Sequence, residues 1–160
     1  MNDLKSILLV DDSPEDVELT LAALSADNLA NDVVVARDGV EALDYLYHRN
    51  KFAGRAPGNP AVILLDLKMP KMNGLEVLRT IKADEHLKMI PVVMLTSSRE
   101  EPDLMESYKL GVNAYVVKPV DFQEFLGAVK QLGVFWALLN ERPPGSVKLT
   151  KPMGVLSDEI

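Results

Sequence analysis

Five short apolar runs punctuate the chain: Ile7-Leu8-Leu9-Val10, Val33-Val34-Val35, Val62-Ile63-Leu64-Leu65, Val92-Val93-Met94-Leu95 and Tyr115-Val116-Val117. Each has the length of a strand and none alternates with polar residues. Runs of this kind predict strands covered on both faces, as in parallel sheets whose crossovers are helices. The intervening segments have helical period. After the first run, Ser13 can cap a helix, Pro14 suits its first position, Asp16 can complete a capping box, and Val17, Leu21 and Leu24 share one face. A second helix runs from about Gly39 with Val40, Leu43, Leu46 and Tyr47 inward, and a third presents Leu75, Leu78 and Ile81. A fourth covers Glu101 to Leu110 and stops at Gly111, which can take the left-handed conformation of a helix end. The fifth opens at Asp121, with Phe122, Phe125, Val129, Leu132, Trp136 and Leu139 in one stripe.

Strands and helices alternating in this way, joined by right-handed crossovers, predict an α/β fold. The expected architecture is a doubly wound five-stranded parallel sheet in the flavodoxin-like order 2-1-3-4-5, with helices on both faces. Arg49 to Pro60, with two glycines and two prolines, reads as a surface loop. Residues 1–140 read as one domain. Pro143-Pro144-Gly145 ends the last helix, and residues 141–160 read as an extension without an effector module.

Composition narrows the function classes. A chain of 160 residues is the size of one domain, and 48% hydrophobic against 26% charged residues excludes wholesale disorder. No apolar run approaches the ~20 residues that span a bilayer, and the N-terminus has no signal-peptide pattern, so a cytoplasmic protein is expected. With no cysteine, disulfides, thiolate metal sites and cysteine nucleophiles are excluded. A net charge of −7 without a dense Lys/Arg cluster argues against nucleic acid or anionic membrane as a partner, and favours proteins and small cations.

In open parallel sheets, functional groups gather beyond the carboxyl ends of the strands, where strand order reverses. Asp11 and Asp12 follow the first strand and Asp66 the third, and these strands are neighbours in the predicted order. Two such charges near 4 Å repel by roughly 4 kcal/mol at an effective dielectric of 20, so three ionised together require a cation. Oxygen-only ligands and an open mouth favour Mg²⁺. The alternative, solvated caps at strand ends, explains one aspartate but not three. The fourth strand ends in Thr96-Ser97 and the fifth in Lys118, which adds a hydroxyl and an ammonium to the same rim. A carboxylate nucleophile beside a metal, with Lys and Thr in reach of phosphoryl oxygens, is what aspartyl-phosphate chemistry requires.

Four motifs in order carry a resemblance: Val10-Asp11-Asp12; Leu65-Asp66-Leu67-Lys68-Met69-Pro70 with Met72 and Gly74; Leu95-Thr96-Ser97; and Val117-Lys118-Pro119. From about Leu4 to Leu139 the chain resembles the receiver domains of bacterial two-component response regulators. The resemblance implies that Asp66 accepts a phosphoryl group from a sensor histidine kinase. It also implies that Asp12, Asp66 and the backbone carbonyl of Lys68 bind Mg²⁺, with Asp11 acting through water. Lys118, with a cis bond to Pro119, would pair with the phosphoryl group. Thr96 would move to bond it, and Tyr115 would turn inward as the switch aromatic. The loop at 49–60 and the ending around Phe135-Trp136 are similar to stand-alone receivers encoded with phytochrome kinases, which implies a phytochrome-type donor. It also implies a homodimer through the fourth helix, fifth strand and fifth helix.

Several residues keep a second reading. Tyr115 is equally a half-buried strand aromatic, Lys68 is solvated or tunes phosphoryl lifetime by its charge, and Phe135-Trp136 belongs to the core or to a partner contact. His48 and His86 read as surface or helix-end residues, and Arg99-Glu100-Glu101 as a solvated helix entry. The protein is expected to be a phosphorylatable switch rather than an enzyme. A phosphatase of the haloacid-dehalogenase type would want a second aspartate two residues beyond the nucleophile, where Lys68 stands. A nucleotide-binding module would want a glycine-rich loop after the first strand. A pseudo-receiver scaffold ordinarily lacks one of the acidic residues, and all are present here.

Overall fold

Chain order runs β1 (Ile7–Val10), α1 (Pro14–Leu24), β2 (Val33–Ala36), α2 (Gly39–Leu46), β3 (Val62–Asp66), α3 (Gly74–Ala83), β4 (Val92–Thr96), α4 (Pro102–Lys109), β5 (Ala114–Val117) and α5 (Phe122–Leu132). The structure is a computed structural model that describes residues 6–25, 32–112 and 114–132. All four strand pairs are parallel, and the sheet order is β2-β1-β3-β4-β5. The expected fold and strand order are therefore those observed.

The apolar runs of β1, β3 and β4 are buried on both faces and those of the edge strands β2 and β5 only in part, with side chains alternating between two cores. Leu8, Val10, Ile63, Leu65 and Met94 face one side, where Leu43 and Leu46 of α2, Leu78 and Ile81 of α3 and Leu104 of α4 close over them. Ile7, Leu9, Leu64, Val93, Leu95 and Val116 face the other, against Val17 and Leu24 of α1 and Phe125 and Val129 of α5. Each fully buried Leu or Ile contributes about 1.5–3 kcal/mol of transfer free energy, so the central strands lock their register strongly.

Helix ends follow the sequence in most respects. The Ser13 hydroxyl accepts from the Asp16 N–H at 3.2 Å, and Pro14 occupies the first turn of α1. Asn73 and Glu76 form a reciprocal capping box at the start of α3, both bonds 3.0 Å. Gly111 has a φ of +112° just after α4, where a side chain would be strained. Two expectations are corrected. On α2, Val40 is 50% exposed and Tyr47 36% exposed, while Tyr45 is buried. The helix is only eight residues long, and its buried face follows Ala42, Leu43, Tyr45 and Leu46; the Tyr47 hydroxyl instead donates to Asp84 at 2.6 Å. The Asp16 carboxylate likewise completes no capping box, because it is engaged elsewhere. In the loop at 49–60, Asn50–Phe52 forms a single 3₁₀ turn. The continuation of the α5 stripe through Trp136 and Leu139, the Phe135-Trp136 pair and the extension at 141–160 lie outside the described residues.

Gly74 fixes how closely α3 approaches the end of β3. A methyl group built on it would run into the Asp66 carbonyl oxygen and stand 2.9 Å from the Leu67 Cα, both backbone atoms that cannot swing aside. Gly74→Ala should therefore lower stability by about 1–3 kcal/mol in urea unfolding followed by circular dichroism, despite the higher helix propensity of alanine.

Candidate functional site

Register brings the site together. Val10 pairs with Leu65, so Asp11 and Asp66 leave adjacent strands side by side at the carboxyl edge. Asp66 lies opposite Leu95, Thr96 opposite Val117, and Lys118 follows directly, its N–H donating to the Thr96 carbonyl at 2.8 Å. Residues far apart in the chain thus meet because the sheet order reverses between β1 and β3.

Carboxylate oxygens of Asp11, Asp12 and Asp66 lie within 4.8 Å of one another. Asp11 is fully buried and Asp66 only 4% exposed, leaving Asp12 as the most accessible of the three. Facing them is the Lys118 ammonium, with Nζ 3.3 Å from Asp66 Oδ1, 3.4 Å from Asp11 Oδ2 and 2.7 Å from Asp16 Oδ2. The Lys118–Pro119 bond is cis. Burial and then the Asp11 charge push the Asp66 carboxyl up to about 7, with Lys118 opposing them. Burial alone would lower the Lys118 ammonium. The hydrogen bond to Asp16 and the charges of Asp66, Asp11 and Asp16 outweigh it and hold the ammonium above its ordinary value.

The lysine pairs with three carboxylates and Asp12 stands beside two of them, so acidic groups outnumber the one ammonium four to one in a recess where Asp11 and Asp66 are almost wholly out of water. That imbalance, in an all-oxygen donor set, fits a hard divalent cation. Thr96 sits on the same rim, 1% exposed, with its hydroxyl donating to the Ser98 carbonyl at 2.9 Å rather than to any aspartate. Tyr115 is half-buried in a groove beside α5, its hydroxyl accepting from Arg99 Nη1 at 3.0 Å and its ring edge-on to Tyr108.

Four side chains stand where the sequence reading did not put them. Asp16 reaches Lys118; the available signal was its position four residues after Asp12, one turn into a helix that starts at the rim. Lys68 is not simply solvated. With Leu67 and Met69 buried on either side, it points outward and pairs with Glu101 at 3.3 Å and Asp103 at 3.2 Å, joining the loop after Asp66 to the start of α4. Nor is Arg99-Glu100-Glu101 an idle helix entry: Glu101 caps α4 by accepting from the Asp103 N–H, and Arg99 bridges Tyr115 and, at 3.8 Å, Glu124. Only folding brings these loops within reach of one another. His48 and His86 stand apart from the site: His48 lies just beyond α2 with a φ of 57°, and His86 is exposed between α3 and β4.

Residues 7–130 match the response regulator receiver domain. The response regulator Rcp1 of Synechocystis sp. is 38% identical over 135 residues, which cover 84% of this chain and 90% of that protein. Its Mn²⁺-bound crystal structure superposes with a TM-score of 0.69 at 37% identity, covering 89% of this chain and 100% of that one. The bacteriophytochrome response regulator AtBRR is 64% identical, with a TM-score of 0.81 over 88% of this chain and 100% of that one. The phosphorylated cyanobacterial phytochrome response regulator RcpA is 41% identical, with a TM-score of 0.68 over 83% and 94% of the two chains. Among the described residues, no helix is long and apolar enough to cross a membrane.

The charge surplus has a consequence for stability. The Asp66 carboxyl is raised in the folded state from roughly 3.9 in an unfolded chain, so its ionisation opposes folding fully above pH 7 and ceases to do so as pH falls toward 4. In metal-free buffer at pH 8, Asp66→Asn should therefore raise stability by about 1–3 kcal/mol. The gain should fade toward pH 4 in thermal melts recorded across that range.

Proposed function

The chain belongs to the response regulator receiver domain family, the phosphoacceptor switches of two-component signal transduction, and on that premise we propose that Asp66 takes a phosphoryl group from a sensor histidine kinase. The observation that carries this reading is the meeting of Asp11, Asp12 and Asp66 from two adjacent strands, with the Lys118 ammonium facing them. An Asp66 carboxylate oxygen attacks phosphorus, the bond from phosphorus to the donor nitrogen breaks, and the electron pair returns to the imidazole. Lys118 neutralises the charge that arrives on the phosphoryl oxygens. Thr96 turns its hydroxyl from Ser98 toward the phosphoryl group.

A divalent cation, Mg²⁺ in this reading, would be held by Asp12, Asp66 and the Lys68 carbonyl, with Asp11 acting through water, and would supply charge neutralisation on the transferring group. The acidic cluster and the Mn²⁺-bound form of Rcp1 support a divalent ion in this place. The donor we infer is a phytochrome-type kinase, supported by likeness to AtBRR and RcpA. Residues 1–140 would form the receiver and residues 141–160 an extension, acting in the cytoplasm as a switch rather than as an enzyme with a turned-over substrate.

Readout would fall on the face of α4, β5 and α5, where Met105 is 69% and Tyr108 42% exposed and where Arg99 ties Tyr115 to Glu124. Withdrawal of Thr96 toward the phosphoryl group would leave room for Tyr115 to turn inward, a shift between two discrete arrangements. The homodimer expected through this face is part of the same proposal; its residues Phe135 and Trp136 lie outside the described part.

With acetyl phosphate and Mg²⁺, intact-mass measurement should show one added phosphoryl group on the wild-type chain and none on Asp66→Asn. Asp12→Ala should slow labelling by at least about tenfold and weaken Mg²⁺ binding; normal labelling of that variant would remove the metal assignment.

A further inference from the structure

The shortest contact of the Lys118 ammonium is to neither strand-end aspartate but to Asp16, at 2.7 Å against 3.3 Å to Asp66 and 3.4 Å to Asp11. Asp16 belongs to the first turn of α1, and its carboxylate serves neither cap nor capping box there. The three carboxylates differ in what they would lose by parting from the lysine. Asp11 is fully buried and Asp66 nearly so, whereas the Asp16 side chain is 33% exposed, so water can take the place of the ammonium at little cost.

We propose that Asp16 is a positioning residue that holds Lys118 toward α1 in the resting protein and competes with the phosphoryl group for the same ammonium. The inference rests on the reading of Asp66 as phosphoacceptor and deepens it. An ammonium has three N–H donors, and in the resting site two are engaged in hydrogen bonds to Asp16 and Asp11, with Asp66 an ion-pair partner at 3.3 Å. A phosphoryl group on Asp66 presents additional anionic oxygens, and to face them Lys118 must loosen its tightest bond. Asp16 also adds a fourth negative charge that an incoming dianion meets. Both effects act in one direction: Asp16 sets a threshold against which phosphorylation works, and it draws the ammonium back once the phosphoryl group has left.

Beryllofluoride, a phosphoryl mimic, is titrated by NMR at saturating Mg²⁺ into wild type, Asp16→Asn, Asp16→Glu and Glu15→Gln. Glu15 is exposed on the same helical turn, so Glu15→Gln removes the same net charge at a residue that does not contact Lys118. Asp16→Asn should bind beryllofluoride about three- to tenfold more tightly, Asp16→Glu should return toward wild type, and Glu15→Gln should match wild type. In the metal-free protein, the ¹⁵Nζ resonance of Lys118 should shift in Asp16→Asn and stay in place in Glu15→Gln. Equal or weaker binding by Asp16→Asn, equal tightening in Glu15→Gln, or an unmoved Lys118 resonance would each overturn the proposal. Wild type that fails to bind beryllofluoride would remove the phosphoacceptor reading itself. Normal wild-type binding with no effect of Asp16→Asn would remove only the role of Asp16.

Discussion

Like charge forced together is the constraint on which this molecule turns. Four carboxylates and one ammonium share a recess at the carboxyl edge of a parallel sheet, and two of the carboxylates are almost wholly out of water. A folded chain tolerates that arrangement only because the two cores on either side of the sheet over-determine the strand register. The site is therefore built to want positive charge, and the stability of the apolar layers is what keeps it in that condition.

The same economy of placement explains how the surroundings are tied to the centre. The loop after Asp66 is pinned from inside by Leu67 and Met69 and from outside by Lys68, whose pairs with Glu101 and Asp103 reach the start of α4. These pairs are exposed and each is weak, so they set orientation rather than stability. From the next strand, Thr96 holds the Ser98 carbonyl, and one residue further Arg99 spans to Tyr115 and Glu124. Two short chains of contacts thus run from beside Asp66 to the α4, β5 and α5 face, one through the loop after Asp66 and one through β4. Whether a route carries coupling depends on an element with two discrete arrangements, and Tyr115 in its groove is the candidate.

Lys118 joins both themes. Its ammonium is raised above its ordinary value by the carboxylates around it, so it stays charged throughout the physiological range. What can change is which oxygens it serves. Its ammonium is shared between hydrogen bonds to Asp16 and Asp11 and an ion pair with Asp66.

The sheet, its order and the three aspartates at the switch point were legible in the sequence. Short unbroken apolar runs between helical segments favour strands covered on both sides, and strand ends at a topological reversal are neighbours by virtue of the sheet order. The Ser13 cap of α1 and the Gly111 stop were legible because they are local chemistry. The inward face of α2 was not, since in eight residues the periodicity of Val40 and Tyr47 is too short to distinguish from that of Tyr45. Nor were the partners of Asp16, Lys68 and Arg99, which lie 102, 35 and 16 residues away for Lys118, Asp103 and Tyr115. Hydrophobic pattern and local capping are properties of neighbouring residues and can be read along the chain. The partner of a long charged side chain is settled by how loops from different strands are packed beside one another, and only the tertiary structure decides that.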